Sequence, residues 1–351
     1  MRSIIENFRI VPAGHCGSGA MRNLIYHYCG LDLDEGVVFG LGAGLDTVYF
    51  DFPDAQPAFM LFGRGATMEA DLADTLGIDY HESVQPDDDL AWQAVREEIL
   101  AGRPTMLSGD IYYLDYREFK VHFPAHRFIL LGFDEDRGEC YIADRVNDYP
   151  ETCSLAALAK SRNPGSSLST LNLWGKFSSG EQRNSLPQAC GIALQKTVQR
   201  MHGMDHTQRD RMATMTRSPK SVATGLKGMQ AFIDNLRRWP NLSDAGDYAR
   251  YVDNAIIKFG TGGGFFRNHF AVFLHWAHHQ RPELVSQTSV DLADLAAEQW
   301  NGLSPTLQAL VEAPADAGLW QHALHQAESI FETEYNLFNF LGDKVLGDAT
   351  A

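Results

Sequence analysis

The plainest hydrophobic pattern in the chain follows Cys16. Met21, Leu24, Ile25 and Tyr28 recur at i, i+3, i+4 and i+7, the stripe of a helix that buries one face, and Gly30 follows as a stop signal. Before it, Pro12 and Gly14 in "IVPAGHCGS" interrupt any period, so Cys16 is predicted to sit where a turn becomes a helix. "PAFMLFG" predicts a short strand and "TMEADLADTLG" a helix ending at Gly77. "DLAWQAVREEILAGRPTMLSGD" predicts a helix through Leu100, a break at Gly102 and Pro104, and a strand over 105–108. "EGVVFGLGAGLDTVYF" is apolar and glycine-rich but has no defensible period.

Residues 126–145, "HRFILLGFDEDRGECYIADR", predict a hairpin: apolar runs at 128–133 and 140–143 flank a turn-rich "DEDRG". With the turn centred near Glu135 and Asp136, His126 falls opposite Asp144 or within about two positions of it. In an even-sum register the two share a face, because side chains alternate along a strand; a one-residue slip would separate them. Residues 151–195 are weakly patterned and read as loop or linker. From 196 onward helical patterns dominate, as in "GLKGMQAFIDNLRRW" and "FFRNHFAVFLHWAHH". The expected organisation is therefore an α+β domain over 1–155, a linker or loop region over 156–195 and a mainly α-helical domain over 196–351.

Composition narrows the function. The 351 residues are 44% apolar and 21% charged, enough for a sizeable core, and no stretch approaches a membrane span or a secretory signal. Five cysteines, Cys16, Cys29, Cys140, Cys153 and Cys190, are odd in number and lack C-x-x-C spacing. Reduced thiols and a cytoplasmic location are the expectation, with no disulfide framework or zinc ribbon. A net charge of −16 argues against nucleic acid as a partner. One basic segment, from Lys196 to Arg238, could dock an acidic partner or form a solvated helix surface. Oligomeric state, monomer or homo-oligomer, is left open.

Cys16 is the sharpest chemical candidate. At a helix start, unpaired N–H groups and the helix dipole favour thiolate, the nucleophilic form, although a lone cysteine is more often a small buried apolar residue. A thiol nucleophile needs an imidazole, and the imidazole a group that fixes its far nitrogen. His126 and Asp144 meet those needs through the hairpin; His122 is a rival base, and Asp144 could instead cap a turn. Other motifs fare worse. "GHCGS" resembles the nucleophile elbow of α/β-hydrolases, but only fifteen residues precede Cys16, too few for the strands that elbow follows. "GLGAGL" and "GTGGGFF" lack the Lys-Ser/Thr of a phosphate loop and read as close packing or turns. His275, His278 and His279 lack a partner at metal-ligand spacing, so no metal is expected.

Four stretches together, "GHCGSGAMRNLIYHYCGLDLDEGVVFGLGAGL", "GRPTMLSGDIYYLDY", "HFPAHRFILLGFDEDRGECYIADR" and "IIKFGTGGGFFRNHFAVFL", resemble the butirosin biosynthesis protein H family, both its N-terminal domain and the helical domain of unknown function that often follows. The resemblance implies a papain-like cysteine-hydrolase fold in the N-terminal domain. It also implies acyl transfer from an acyl carrier protein thioester to a small-molecule amine in antibiotic biosynthesis. On that resemblance Cys16 is the nucleophile, His126 the base and Asp144 its acidic partner. No resident cofactor is implied; phosphopantetheine would arrive on the carrier. A hydrolase with the same triad and a non-catalytic binding protein are the competing expectations.

Overall fold

The computed structural model describes residues 1–165, 169–178, 180–206, 210 and 219–347. The chain forms two compact units, one of Met1–Glu35 with Ile78–Arg183, the other of Gly36–Gly77 with Asn184–Ala351. The architecture is α+β, with the larger sheet in the first unit and most of the helix in the second.

In the first unit the strands are β1 (Arg2–Ile4), β4 (Tyr80–Ser83), β5 (Thr105–Gly109), β6 (His126–Asp134), β7 (Glu139–Ala143), β8 (Glu151–Ser154) and β9 (Trp174–Phe177); β2 and β3 belong to the second. They form an antiparallel sheet of order β4-β9-β5-β6-β7-β8, with β1 pairing along the far half of β6. The helices of this unit are α1 (Cys16–Cys29), α4 (Asp88–Leu100) and α5 (Leu155–Arg162). Every residue of β6 is buried, which explains its near-continuous apolar sequence: neighbours cover both faces of this central strand. Val95 and Ile99 of α4 and Leu158 of α5 join Phe128, Leu130 and Ile142 in one apolar core.

The hairpin is the element on which the site depends. Near the turn, Asp134 pairs with Glu139, Phe133 with Cys140 and Gly132 with Tyr141. Extended unchanged, that register would set Asp144 opposite Ile129, on the face away from His126. The register shifts between Leu130 and Gly132, so that Leu130 pairs with Ile142 and Ile129 with Ala143. One step further, Asp144 lies opposite Phe128 and shares its face with His126. The bulged Leu131 thus restores the alternation that brings the two together.

The 156–195 stretch, read from sequence as linker or loop, instead contains most of α5, all of β9 and the first part of α6 (Leu186–Met201). Its pattern is obscured because β9 has only four residues and takes its order from pairing with β4 and β5. The unperiodic 35–51 stretch is α2 (Glu35–Leu41) followed by β2 (Leu45–Asp51), and from Gly36 on it groups with the C-terminal residues. Its glycines reflect close packing. A Cβ on Gly40 would lie 1.9 Å from a ring carbon of Phe273, and one on Gly36 would lie 2.6 Å from Val272 Cβ. Both partners belong to α9 (Arg267–Gln280).

The second unit also holds β3 (Phe59–Arg64), α3 (Met68–Leu76), β10 (Ser221–Ala223), α7 (Gly225–Leu236), α8 (Ala245–Ile257), α10 (Gln287–Glu312) and α11 (Ala317–Val345). Its sheet runs β10-β2-β3. Arg267, 2% exposed, is fixed by all five of its N–H donors. Nε and Nη2 reach Glu334 at 2.7 and 2.8 Å, Nη2 also reaches Thr47 Oγ1, and Nη1 reaches the carbonyls of Asp46 and Phe265. Phe265 and Phe266 of "GTGGGFF" are buried in left-handed backbone, φ 52° and 70°, so the segment is a turn anchored in a core. Among the described residues no helix is long and apolar enough to cross a membrane. Glu334→Ala leaves the Arg267 charge buried and uncompensated; the expected loss is about 3–5 kcal/mol, read as a lower denaturant midpoint.

Candidate active site

Cys16 opens α1, and His15 is its N-cap, with Nδ1 3.1 Å from Ser18 N. The approach to the helix is pinned from three sides. Arg22 Nη2 donates to the carbonyls of Val11 and Pro12, and Asn23 holds both backbone groups of Val11. Ala13 N donates to Arg145 O at 2.7 Å, and Arg145 Nη1 donates to Gly14 O at 3.3 Å. The Glu35 carboxylate accepts from Gly14 N and His15 N, each at 2.8 Å, and from Ser18 Oγ at 2.9 Å. Gly19 is required by this packing, since a Cβ there would lie 2.3 Å from Ala13 Cβ.

The structure brings the three sequence-predicted residues together within the first unit. His126 Nε2 lies 3.0 Å from Asp144 Oδ1, which leaves Nδ1 as its other ring nitrogen, and His126 and Cys16 are close enough to shift each other's proton affinity. Asp144 is held as well by Tyr116 Oη–H, 2.8 Å from Oδ2, and by the Arg145 backbone N–H, 2.7 Å from Oδ1. The rival, His122, is turned elsewhere: its Nδ1 lies 2.7 Å from Asp110 Oδ2 and its ring stacks on Tyr112. Tyr116 also lines a cleft of about 790 Å³ with Tyr112, Tyr113 and Phe119, so a ligand there would touch the residue that holds Asp144.

The electrostatics favour an ion pair. Burial alone would push the Cys16 thiol up, but His15 and His126 outweigh it through charge and hydrogen bonds and hold it well below an ordinary thiol. Burial would likewise pull His126 down, yet the Asp144 charge and hydrogen bond, with Cys16 beyond, raise it to about 10. Asp144 sits below the usual carboxylate range: His126, the Arg145 N–H and Tyr116 overcome its desolvation. Both shifts favour the thiolate–imidazolium form over the neutral pair. Burial instead pushes Cys29 up and Cys190 up to about 12, while a hydrogen bond with Cys153, and burial after it, push Cys140 up. All five cysteines are free.

Of the first four N–H groups of α1, Ser18 N donates to His15 Nδ1 and Gly19 N to His15 O. The N–H groups of Cys16 and Gly17 have no partner among the described residues, as suits groups facing a reacting carbonyl. Sequence reading did not assign roles to His15, Ser18, Glu35, Tyr116 or Arg145. The cap position of His15 was a usable signal. Glu35 and Tyr116 reach the site only through the fold and carried none.

Two family models match the chain. One, described as "Butirosin biosynthesis protein H, N-terminal", covers residues 15–145; the other, "Domain of unknown function (DUF4872)", covers residues 156–341. The chain thus carries a butirosin biosynthesis protein H N-terminal domain followed by a DUF4872 domain, and it belongs to the DUF4872 family, whose model covers more than half of it. No curated protein matches it. The butirosin biosynthesis protein H match begins at His15 and ends at Arg145, so it spans the site described above.

Candidates outside this site do not assemble into one. His275 Nε2 meets Asp294 at 2.9 Å on an exposed surface, and His278 Nδ1 donates to Val285 O; no metal-binding group of His, Cys, Asp or Glu occurs among the described residues. The basic segment is largely neutralised where it is described. Lys196 pairs with Asp71 and Asp74, buried Arg200 with Asp71 and Asp205, and Arg237 with Asp234 and Glu328. Arg209, Arg211 and Arg217 lie outside the described residues.

The Cys16 thiol is held well below an ordinary thiol, so its thiolate is expected to persist to lower pH. Its alkylation by iodoacetamide, followed by peptide mass mapping, is expected to be nearly flat between about pH 7 and 9, whereas an ordinary thiol of pKa ~8.5 accelerates almost tenfold per unit below that value. Cys140 and Cys190 should react only after unfolding.

Proposed function

We propose that this protein is a cysteine-dependent acyltransferase of natural-product biosynthesis, moving an acyl or aminoacyl group from a carrier-protein thioester to an amine. The observation that carries the reading is the chain of contacts from Cys16 through His126 to Asp144, with two unpartnered N–H groups at the nucleophile. The family name, that of a butirosin biosynthesis protein, supports an assembly reaction over a degradative one. A papain-like arrangement fits the same facts: a cysteine at a helix start facing a histidine at a strand start.

The Cys16 thiolate attacks the thioester carbonyl carbon; a C–S bond forms and the carrier's pantetheine sulfur leaves, taking the proton of His126. Neutral His126 then accepts a proton from the attacking amine. The C–N bond forms, the bond to Cys16 breaks, and the sulfur returns as thiolate beside the imidazolium. In each half-reaction the Cys16 and Gly17 N–H groups receive the oxyanion. Asp144 accepts from the His126 Nε2–H, which leaves Nδ1 to give and take the transferred proton, and it offsets the imidazolium charge. The reaction needs no cofactor beyond the pantetheine arm, because one acyl bond replaces another. The acyl carrier protein and the amine are its two partners.

Incubation with an acyl-loaded carrier protein should give an acyl adduct in intact-mass spectra that Cys16→Ala does not form. Adding amine should discharge it to amide; release of free acid alone would make the protein a hydrolase. In the same assay Asp144→Asn is expected to slow turnover by roughly 10²–10⁴-fold while leaving the Cys16 adduct detectable.

A further inference from the structure

Four residues before His126 stands a histidine that the mechanism above does not use. His122 Nδ1 lies 2.7 Å from Asp110 Oδ2, and Asp110 is only 1% exposed. Asp110 Oδ1 also accepts from Tyr112 N at 3.1 Å and from Phe123 N at 2.9 Å. Its backbone is pinned as well: Asp110 N donates to Ser161 O and Asp110 O accepts from Ser161 Oγ, each at 2.9 Å. The Asp110 side chain thus accepts throughout, as an ionised carboxylate does. The ring proton of His122 therefore sits on Nδ1, and the lone pair of the neutral imidazole on Nε2. Nε2 has no hydrogen-bond partner among the described residues, and the side chain is 50% exposed.

This pair adjoins both the triad and a cleft. Gly109 pairs with His126 at the end of the β5–β6 ladder, and just beyond it Ile111 N donates to Phe123 O at 3.3 Å. Asp110 and His122 thus sit on the continuation of the two strands, and the four residues from His122 to His126 span at most about 14 Å. The His122 ring stacks on Tyr112 with centroids 4.1 Å apart and meets Tyr113 edge-on at 5.8 Å. Tyr112 and Tyr113 line the cleft of about 790 Å³ together with Tyr116, whose hydroxyl holds Asp144. The cleft therefore borders residues that touch each of the two histidine–carboxylate pairs. Of its charged side chains, Arg117 is paired with Glu151 and Asp115 accepts from Ser154 N, while Glu118 and Lys120 are exposed and of opposite sign.

We propose that this cleft takes the acceptor amine and that His122, oriented by Asp110, removes the proton of its ammonium form before attack. Such a role deepens the acyl-transfer reading and rests on it. An alkylamine, like a lysine side chain with its pKa of ~10.4, arrives protonated at neutral pH and has no lone pair to offer. Two protons must leave its nitrogen on the way to an amide. Neutral His126 takes the one released as the C–N bond forms and ends as the imidazolium, so the first needs another acceptor. In that first step an N–H bond of the ammonium breaks, its electron pair stays on nitrogen, and the proton bonds to His122 Nε2. Asp110 offsets the imidazolium charge, and His122 then returns the proton to solvent.

The test isolates the Cys16 acyl adduct, formed from an acyl-loaded carrier protein, in wild type and His122→Asn. Its loss to primary alkylamines, or separately to hydroxylamine, is then timed by intact mass. Hydroxylamine is largely unprotonated at neutral pH and needs no such base. Adduct formation should be alike in both proteins. At saturating alkylamine the variant should discharge roughly 10²-fold more slowly, while hydroxylamine discharges both alike. Equal alkylamine rates in the two proteins overturn the proposal. So does equal slowing toward hydroxylamine, the mark of a disturbed Cys16–His126 pair. So does a defect confined to the alkylamine KM, which leaves His122 a binding group only. Should His122→Asn lack a cooperative thermal transition, His122→Gln takes its place under the same criteria. A wild-type adduct that no amine converts to amide retires the proposed activity and this inference with it; amide formed equally by both proteins retires this inference alone.

Discussion

A charge on a sulfur in a residue of only 5% exposure is costly unless its surroundings answer it, and His15 and His126 do so at Cys16. His15 and His126 both lower the thiol, and the Asp144 carboxylate lies 3.0 Å from His126 Nε2. The backbone leading to Cys16 is fixed just as tightly. Glu35 holds two of its N–H groups, while Arg145 accepts a third and donates to a carbonyl. Because Arg145 follows Asp144, the segment that orients His126 also positions the turn before Cys16. Asp144, His126 and the turn before Cys16 are thereby tied into one piece, even though 110 residues separate Cys16 from His126 in the chain.

Much of this was legible in the sequence, for reasons that differ by element. The stripe after Cys16 and the glycine stop gave α1 with its end at Cys29, because one-sided burial leaves a clear period. The turn-rich break between two apolar runs gave β6 and β7, and from them the meeting of His126 with Asp144. The order of β9 was not legible: four residues placed between two distant strands have no local period to show. Nor was α2, whose glycines answer the shape of α9 rather than any rule of helix composition. Glu35 reads in sequence as one acid among several, and only tertiary folding sets its carboxylate under the Cys16 turn.

The second unit shows the same economy of buried charge with no chemistry attached. Arg267 lies over the rings of Phe265 and Trp300, at 5.2 Å from each, and Glu334 accepts from both Arg267 and Trp300 Nε1. This cluster explains why "GTGGGFF" tolerates left-handed phenylalanines. The backbone is held by the arginine that follows it, and the strain is offset by a fully satisfied guanidinium. A motif that looks like a ligand loop on paper is here a structural knot.

The odd residue in β6 has a consequence for how this protein can vary. Loops elsewhere can lengthen or shorten by any number of residues, since nothing counts them. Between His126 and Asp144 parity is counted: gaining or losing one paired residue, or ironing out the kink at Leu131, would turn the imidazole and carboxylate to opposite sides of the sheet while leaving both strands intact. Relatives that keep the chemistry must therefore either retain that irregularity or compensate for it by a second one, and an alignment of this hairpin could tell working copies from silent ones by arithmetic alone.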